Sequence, residues 1–186
     1  MTVSIHVSGD ARTAVQTHVP RLVADLVASG ITAENPSLWG PAAEAEASKR
    51  LGWVEAVAVS RPLVAEIAAL REEFVAAGID HVVLAGMGGS SLAPEVITRT
   101  AGVELTILHS TAPGQLRAAR LETTVLVASS KSGGTLETDS QRRAYESAFR
   151  AAGIDPASRI VIVTDPGSPL EELATAAGYR TFLADP

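Results

Sequence analysis

The chain has 186 residues, with Lys+Arg 15 against Asp+Glu 21 and a formal net charge of −6, which argues against nucleic acid or an anionic membrane as a partner. That length suffices for an α/β core without staples, and with no cysteine, disulfides, thiolate metal sites and cysteine nucleophiles are excluded. The histidines (His6, His18, His81, His109) show no metal-ligand spacing, and no apolar run approaches the roughly 18 residues of a membrane span. The N-terminal Met-Thr-Val-Ser-Ile-His lacks a basic region followed by an apolar stretch, so a cytoplasmic protein is expected.

Thr2–Val7 alternates polar and apolar residues, the pattern of a half-buried edge strand. Gly9-Asp10 ends it, with Asp10 placed to cap a helix running to about Ser29 and carrying Val15, Val19, Leu22, Val23, Leu26 and Val27 on one stripe. Pro20 predicts a kink or break inside that helix, and Gly30 a stop. Residues 34–53 mix turn formers with a short Ala/Glu helix and both tryptophans. They read as a connector or lid. A longer helix, Arg61–Ala77, ends at Gly78.

From Asp80 onward short apolar runs alternate with helical segments. The expected strands are His81–Ala85, Glu104–His109, Thr123–Ala128, Ile160–Thr164 and Tyr179–Leu183. The expected helices are Leu92–Thr100, Gln115–Arg120, Leu136–Ala152 and Pro169–Ala177, the last capped by Ser168. Five strands apolar along their length, alternating with four helices, indicate a five-stranded parallel sheet buried on both faces, hence an α/β, Rossmann-like fold. With the first of these strands central, the expected order is 2-1-3-4-5, with a ligand crevice at the switch point. The boundary is placed after residue 54, between an N-terminal strand/helical extension (1–54) and the α/β domain (55–186).

Two loops carry the chemistry. Gly86-Met-Gly-Gly-Ser-Ser91 follows the first strand, and Ser129-Ser-Lys-Ser-Gly-Gly-Thr135 follows the third. A strand that ends in glycines and restarts as a helix leaves backbone N–H groups at the positive end of the helix dipole, where an anion binds well. Gly86, Gly88 and Gly89 allow close backbone approach, and Ser90 and Ser91 offer hydroxyls to a helix cap or to a phosphate. The same glycines also suit a tight βα turn with Ser90 as its cap. In the second loop Ser130, Ser132 and Thr135 surround Gly133-Gly134, and Lys131 adds a point charge. Neither loop fits the nucleotide P-loop, which needs Gly-Lys-Ser/Thr, and the first lacks the third glycine of the dinucleotide fingerprint.

Gly86–Pro94 (GMGGSSLAP) and Ser129–Thr138 (SSKSGGTLET) resemble the two sugar-phosphate loops of the glucose-6-phosphate isomerase family, whose sheet is a sugar isomerase (SIS) domain. Leu38–Trp53 resembles a segment ahead of that domain in actinobacterial-type isomerases, some fused to transaldolase. The resemblance implies that Gly89 and Ser90 contact substrate, that Ser130, Lys131, Ser132 and Thr135 grip its phosphate, and that Glu137 is an acid facing the sugar. Ala93 stands where a glycine is common and Gly134 where a threonine is common, which removes one hydroxyl. The family's proton-transferring glutamate, histidine and lysine, and its Gly-Gly-Arg segment, lie in the other half of such enzymes, beyond Leu183-Ala-Asp-Pro186. The expectation is therefore a substrate-binding part of an isomerase without catalytic residues of its own, and with no cofactor or metal. It would bind glucose 6-phosphate or fructose 6-phosphate, serve glycolysis and gluconeogenesis, and pack against a second SIS domain or a second copy. His81 is expected to be structural, and His109 structural or at the edge of the crevice. The alternatives are a non-catalytic sugar-phosphate sensor or another SIS enzyme acting on amino sugars or ethers.

Overall fold

The computed structural model describes residues 4–115 and 120–184. They form two compact units divided between Ala58 and Val59.

In the first unit Ser4–Ser8 has no regular structure and Ile5 is exposed, so the expected edge strand is absent over these residues. Alternation alone does not make a strand, because its backbone groups need a ladder partner. Helix α1 (Gly9–Ala24) starts after Ser8, not at an Asp10 cap; Asp10 lies in its first turn and favours the dipole. Pro20 sits inside α1 without ending it. The break comes at Asp25–Leu26, where Leu26 turns left-handed (φ 53°) before α2 (Val27–Thr32). Gly30 lies within α2, where a β-carbon would come within 3.0 Å of the Leu38 side chain, so this glycine makes room rather than stopping the helix. The expected stripe of α1 is not core, since no residue of that helix is buried. A 3₁₀ turn (Pro36–Trp39), capped by the Asn35 side chain, leads to α3 (Pro41–Ala47), the short Ala/Glu helix. A second such turn (Gly52–Glu55) leads to α4 (Ala56–Ser60).

The second unit continues with α5 (Leu63–Ala76) and then β1 (His81–Gly86), α6 (Gly89–Ala101), β2 (Thr106–Leu108), β3 (Thr124–Ser129), α7 (Leu136–Ala151), β4 (Ile160–Thr164), α8 (Pro169–Ala177) and β5 (Arg180–Leu183). The five strands are all parallel in the order β2-β1-β3-β4-β5, as expected. Most of the segment expected as the helix Gln115–Arg120 lies outside the described residues. Gln115 itself is in a turn, and Arg120 is left-handed (φ 61°).

Period-2 geometry sorts the strand residues onto two faces. Val83, Ala85, Leu126, Ala128, Ile160 and Ile162 pack on one face with Tyr145 and Phe149 of α7 and Leu170 and Ala174 of α8. Val125, Val161 and Phe182 occupy the other, against Leu70 of α5 and Ile79. Truncating a fully buried residue such as Leu126 would cost about 2–5 kcal/mol. Cover on this second face is thinner than expected. Val82 is 37% exposed, and a groove of about 390 Å³ runs between α5 and the sheet past Ile67, Val82, Val127 and Val163.

At the amino edge of the sheet, His81 bridges three strands: its Nδ1 is 2.8 Å from Thr124 Oγ1 and its Nε2 2.9 Å from Thr106 Oγ1. Thr124 gives its own hydroxyl proton to the Arg120 carbonyl, so it accepts from His81 and the ring carries its proton on Nδ1. His81 is structural.

Candidate functional site

The order 2-1-3-4-5 puts the switch point between β1 and β3, and both loops leave from there. The ladder pairs Gly86 with Ser129, so each strand ends beside the other and the loops start from adjacent positions.

In the first loop Gly88 is the N-cap of α6 with φ 59° and ψ −128°, a conformation closed to residues with a β-carbon. The helix begins at Gly89, three residues earlier than the sequence suggests, so Ser90 and Ser91 lie in its first turn. Neither caps it: the Ser91 hydroxyl donates to the Gly88 carbonyl at 3.3 Å and is buried. Ser90 is half-buried and Gly89 exposed, so both are accessible.

The second loop is more strongly built. Ser130 is buried, and its hydroxyl lies 3.1 Å from that of Thr135, the N-cap residue of α7. Ser132 and Lys131 are exposed, and the Ser132 hydroxyl accepts from the Gly134 N–H at 3.3 Å. Gly133 has φ +69°, and a β-carbon there would meet the Leu170 backbone nitrogen at 2.7 Å, so this loop packs tightly against the start of α8. Among the described residues, no protein acceptor faces the N–H groups of Lys131, Ser132 or Gly133. Unpaired donors, exposed hydroxyls and a helix N-terminus make an anion cradle. Glu137 is half-buried in the first turn of α7 beside Asp139, where a carboxylate also favours the dipole.

The sequence reading missed three residues here. Asp165, in the turn after β4, lies with Oδ2 3.6 Å from Lys131 Nζ; the pair is partly exposed, so it positions the lysine but contributes little stability. Thr164, buried at the end of β4, donates to the Ser130 carbonyl at 2.7 Å. Gln141 is fully buried in α7, and its Nε2 donates to the carbonyls of Leu108 (3.3 Å) and Ser110 (3.1 Å), tying the exit of β2 to the helix. Their roles depend on neighbours far away in the chain, and no local pattern marks them. His109 is exposed immediately after β2. Among the described residues, no cluster of His, Asp and Glu has the makings of a metal site, and no helix is long and apolar enough to cross a membrane.

No family profile matches the chain. Among curated proteins it is similar to the glucose-6-phosphate isomerase of a Cyanothece strain, 31% identical over 113 residues covering 55% of this chain and 21% of that one. It is similar to the glucose-6-phosphate isomerase of Acaryochloris marina at 34% identity over 113 residues, with the same coverage of 55% and 21%. The chain thus spans about a fifth of the length of these relatives. Its structure is similar to that of a glucose-6-phosphate isomerase from Chlamydia trachomatis (28% identity, TM-score 0.57, 69% of this chain and 27% of that one). A hypothetical protein from Thermus thermophilus is also similar (26% identity, TM-score 0.69, 92% of this chain and 40% of that one).

Proposed function

We propose that this chain is the substrate-phosphate-binding part of a glucose-6-phosphate isomerase, in which the two loops at the switch point hold the phosphate of glucose 6-phosphate or fructose 6-phosphate. The observation that carries this reading is the Gly86–Ser129 pairing, which sets two hydroxyl-rich, glycine-bearing loops side by side, in a chain similar to such isomerases. Gly89 and Ser90 approach from one side. Ser130, Lys131, Ser132 and Thr135 supply hydroxyls, backbone N–H groups and a positive charge from the other. Charge-assisted hydrogen bonds of this kind are worth about 1.5–3 kcal/mol each. The proposal extends to a domain over residues 55–186 preceded by a helical extension, to the cytoplasm, and to glycolysis and gluconeogenesis as the setting.

Moving a proton between C1 and C2 of the sugar needs a base, and opening the ring needs an acid/base group, each contributing about 10²–10⁴-fold. Glu137 is the acid assigned to the sugar side, and the other proton-transferring groups are assigned to the remainder of the enzyme. Purified 1–186 is therefore expected to bind sugar phosphate weakly and not to isomerise it in a coupled assay. Turnover near that of an intact isomerase would mean that Glu137 or His109 performs the proton transfer. Binding itself is tested by calorimetry with glucose 6-phosphate: Ser132→Ala with Thr135→Val should weaken it at least tenfold with the fold intact. Unchanged titration by the double variant would remove the second loop from the site.

A further inference from the structure

We propose that Thr164 is the positioning residue of the phosphate loop, acting through the Ser130–Lys131 peptide, an inference that rests on the anion-binding reading of that loop. Thr164 is 2% exposed at the end of β4, and its hydroxyl has two partners at 2.7 Å, the Ser130 carbonyl and the Ser168 hydroxyl. A hydroxyl has one proton, and a carbonyl only accepts, so Thr164 donates to Ser130 and accepts from Ser168. Ser168 in turn accepts from the Glu171 N–H at 3.2 Å as the N-cap of α8. A directed chain of hydrogen bonds thus runs from the α8 N-terminus through Ser168 and Thr164 to the phosphate loop.

Its consequence follows from backbone geometry. The Ser130 N–H donates to the Val163 carbonyl at 3.0 Å, so both backbone groups of Ser130 are held on the β4 side. In a planar trans peptide, the N–H points opposite to the C=O. With the Ser130 carbonyl anchored toward β4, the Lys131 N–H is turned the other way, to the side of β1 and the first loop. Without the Thr164 hydroxyl this peptide is free to rotate, and a rotation would turn a carbonyl oxygen toward the anion in place of a donor. Asp165, the next residue, holds the Lys131 ammonium from the same turn, so β4 orients both the backbone and the side chain of Lys131.

The test uses the whole chain, labelled with ¹⁵N, as Thr164→Val and Thr164→Ser. Thr164→Val keeps the shape and removes the donor; Thr164→Ser keeps the donor. The expected result is an altered Lys131 amide resonance in Thr164→Val without ligand, with β5 amides unmoved and the wild-type position restored in Thr164→Ser. Binding of inorganic phosphate and of glucose 6-phosphate should weaken about tenfold in Thr164→Val and recover in Thr164→Ser. An unmoved Lys131 amide, or wild-type affinity in Thr164→Val, overturns the proposal. If the wild-type chain binds neither ligand, the functional reading fails, while the Lys131 resonance still decides whether Thr164 orients the loop. Should Thr164→Val not fold, Thr164→Cys, a weaker donor of similar volume, carries the same comparison.

Discussion

Gly86 and Ser129 face one another in the last register position of β1 and β3, and the space between them is already full. A β-carbon on Gly86 would come within 3.1 Å of the Ser90 Cβ and carbonyl oxygen and 3.3 Å of the Ser129 carbonyl oxygen. Close packing of this pair sets the distance between the two loops. Gly86→Val should push them apart and weaken sugar-phosphate binding by an order of magnitude or more. It should also lower stability by about 1–3 kcal/mol, the usual cost of overpacking. Calorimetry and denaturant unfolding measure the two effects separately.

The adjacent glycines of the second loop should behave very differently. Gly133 combines φ +69° with a backbone atom 2.7 Å from any added β-carbon, whereas Gly134 has neither a positive φ nor a contact closer than 4.0 Å. Gly133→Ala is expected to destabilise the protein by at least about 1–3 kcal/mol and to disturb the loop, while Gly134→Ala stays within about 1 kcal/mol of wild type. Thermal melts of the two variants side by side check this.

His81 is a structural bridge, so its replacement should cost stability and leave binding alone. His81→Ala removes two hydrogen bonds: the Thr106 hydroxyl loses its His81 partner and the Thr124 hydroxyl keeps only the Arg120 carbonyl, at about 1–3 kcal/mol. Urea unfolding should show the loss and calorimetry should show unchanged affinity. Long-range ¹⁵N–¹H spectra of the wild-type ring should report the proton on Nδ1.

Arg142, only 6% exposed along its side chain, bonds Asp139 and Glu146 at 2.7 Å each. Burial by itself would raise the Glu146 pKa. Hydrogen bonds from Arg150 and Arg142, with the Arg142 charge, outweigh that and hold the carboxyl below its usual range. A carboxyl depressed in the folded state binds its proton more readily when unfolded, so its stabilisation is present above the unfolded pKa, about 4.3, and is lost as the pH falls through the lower folded value. The wild-type denaturation midpoint should therefore drop on acidification below about pH 4, and Glu146→Gln should make that drop shallower while lowering stability at pH 7.

How much of this was legible beforehand divides by the range of the interactions. The helix Pro169–Ala177 with its Ser168 cap could be read to the residue because the cap, the proline at the first position and the apolar spacing are all local. The strand order followed from the alternation of apolar runs and helices together with the handedness of parallel crossovers. The two loops stood out because glycine and hydroxyl content is itself a chemical statement. By contrast, among the described residues Ser4–Val7 has the alternation of a strand and no ladder partner, and Pro20 stays inside a helix that breaks only at Asp25–Leu26.

The sequence by itself therefore determined the parallel α/β sheet, the positions of the loops and the donors they carry, since these follow from periodicity and from residue chemistry within a few positions. Only the tertiary structure decided which donors are free and where they point. Thr164 lies 34 residues from Ser130 and Gln141 33 from Leu108, and each pair meets because parallel strands and their helices return to the same edge. A hydrogen bond acts over about 3 Å of space, whatever length of chain separates its partners.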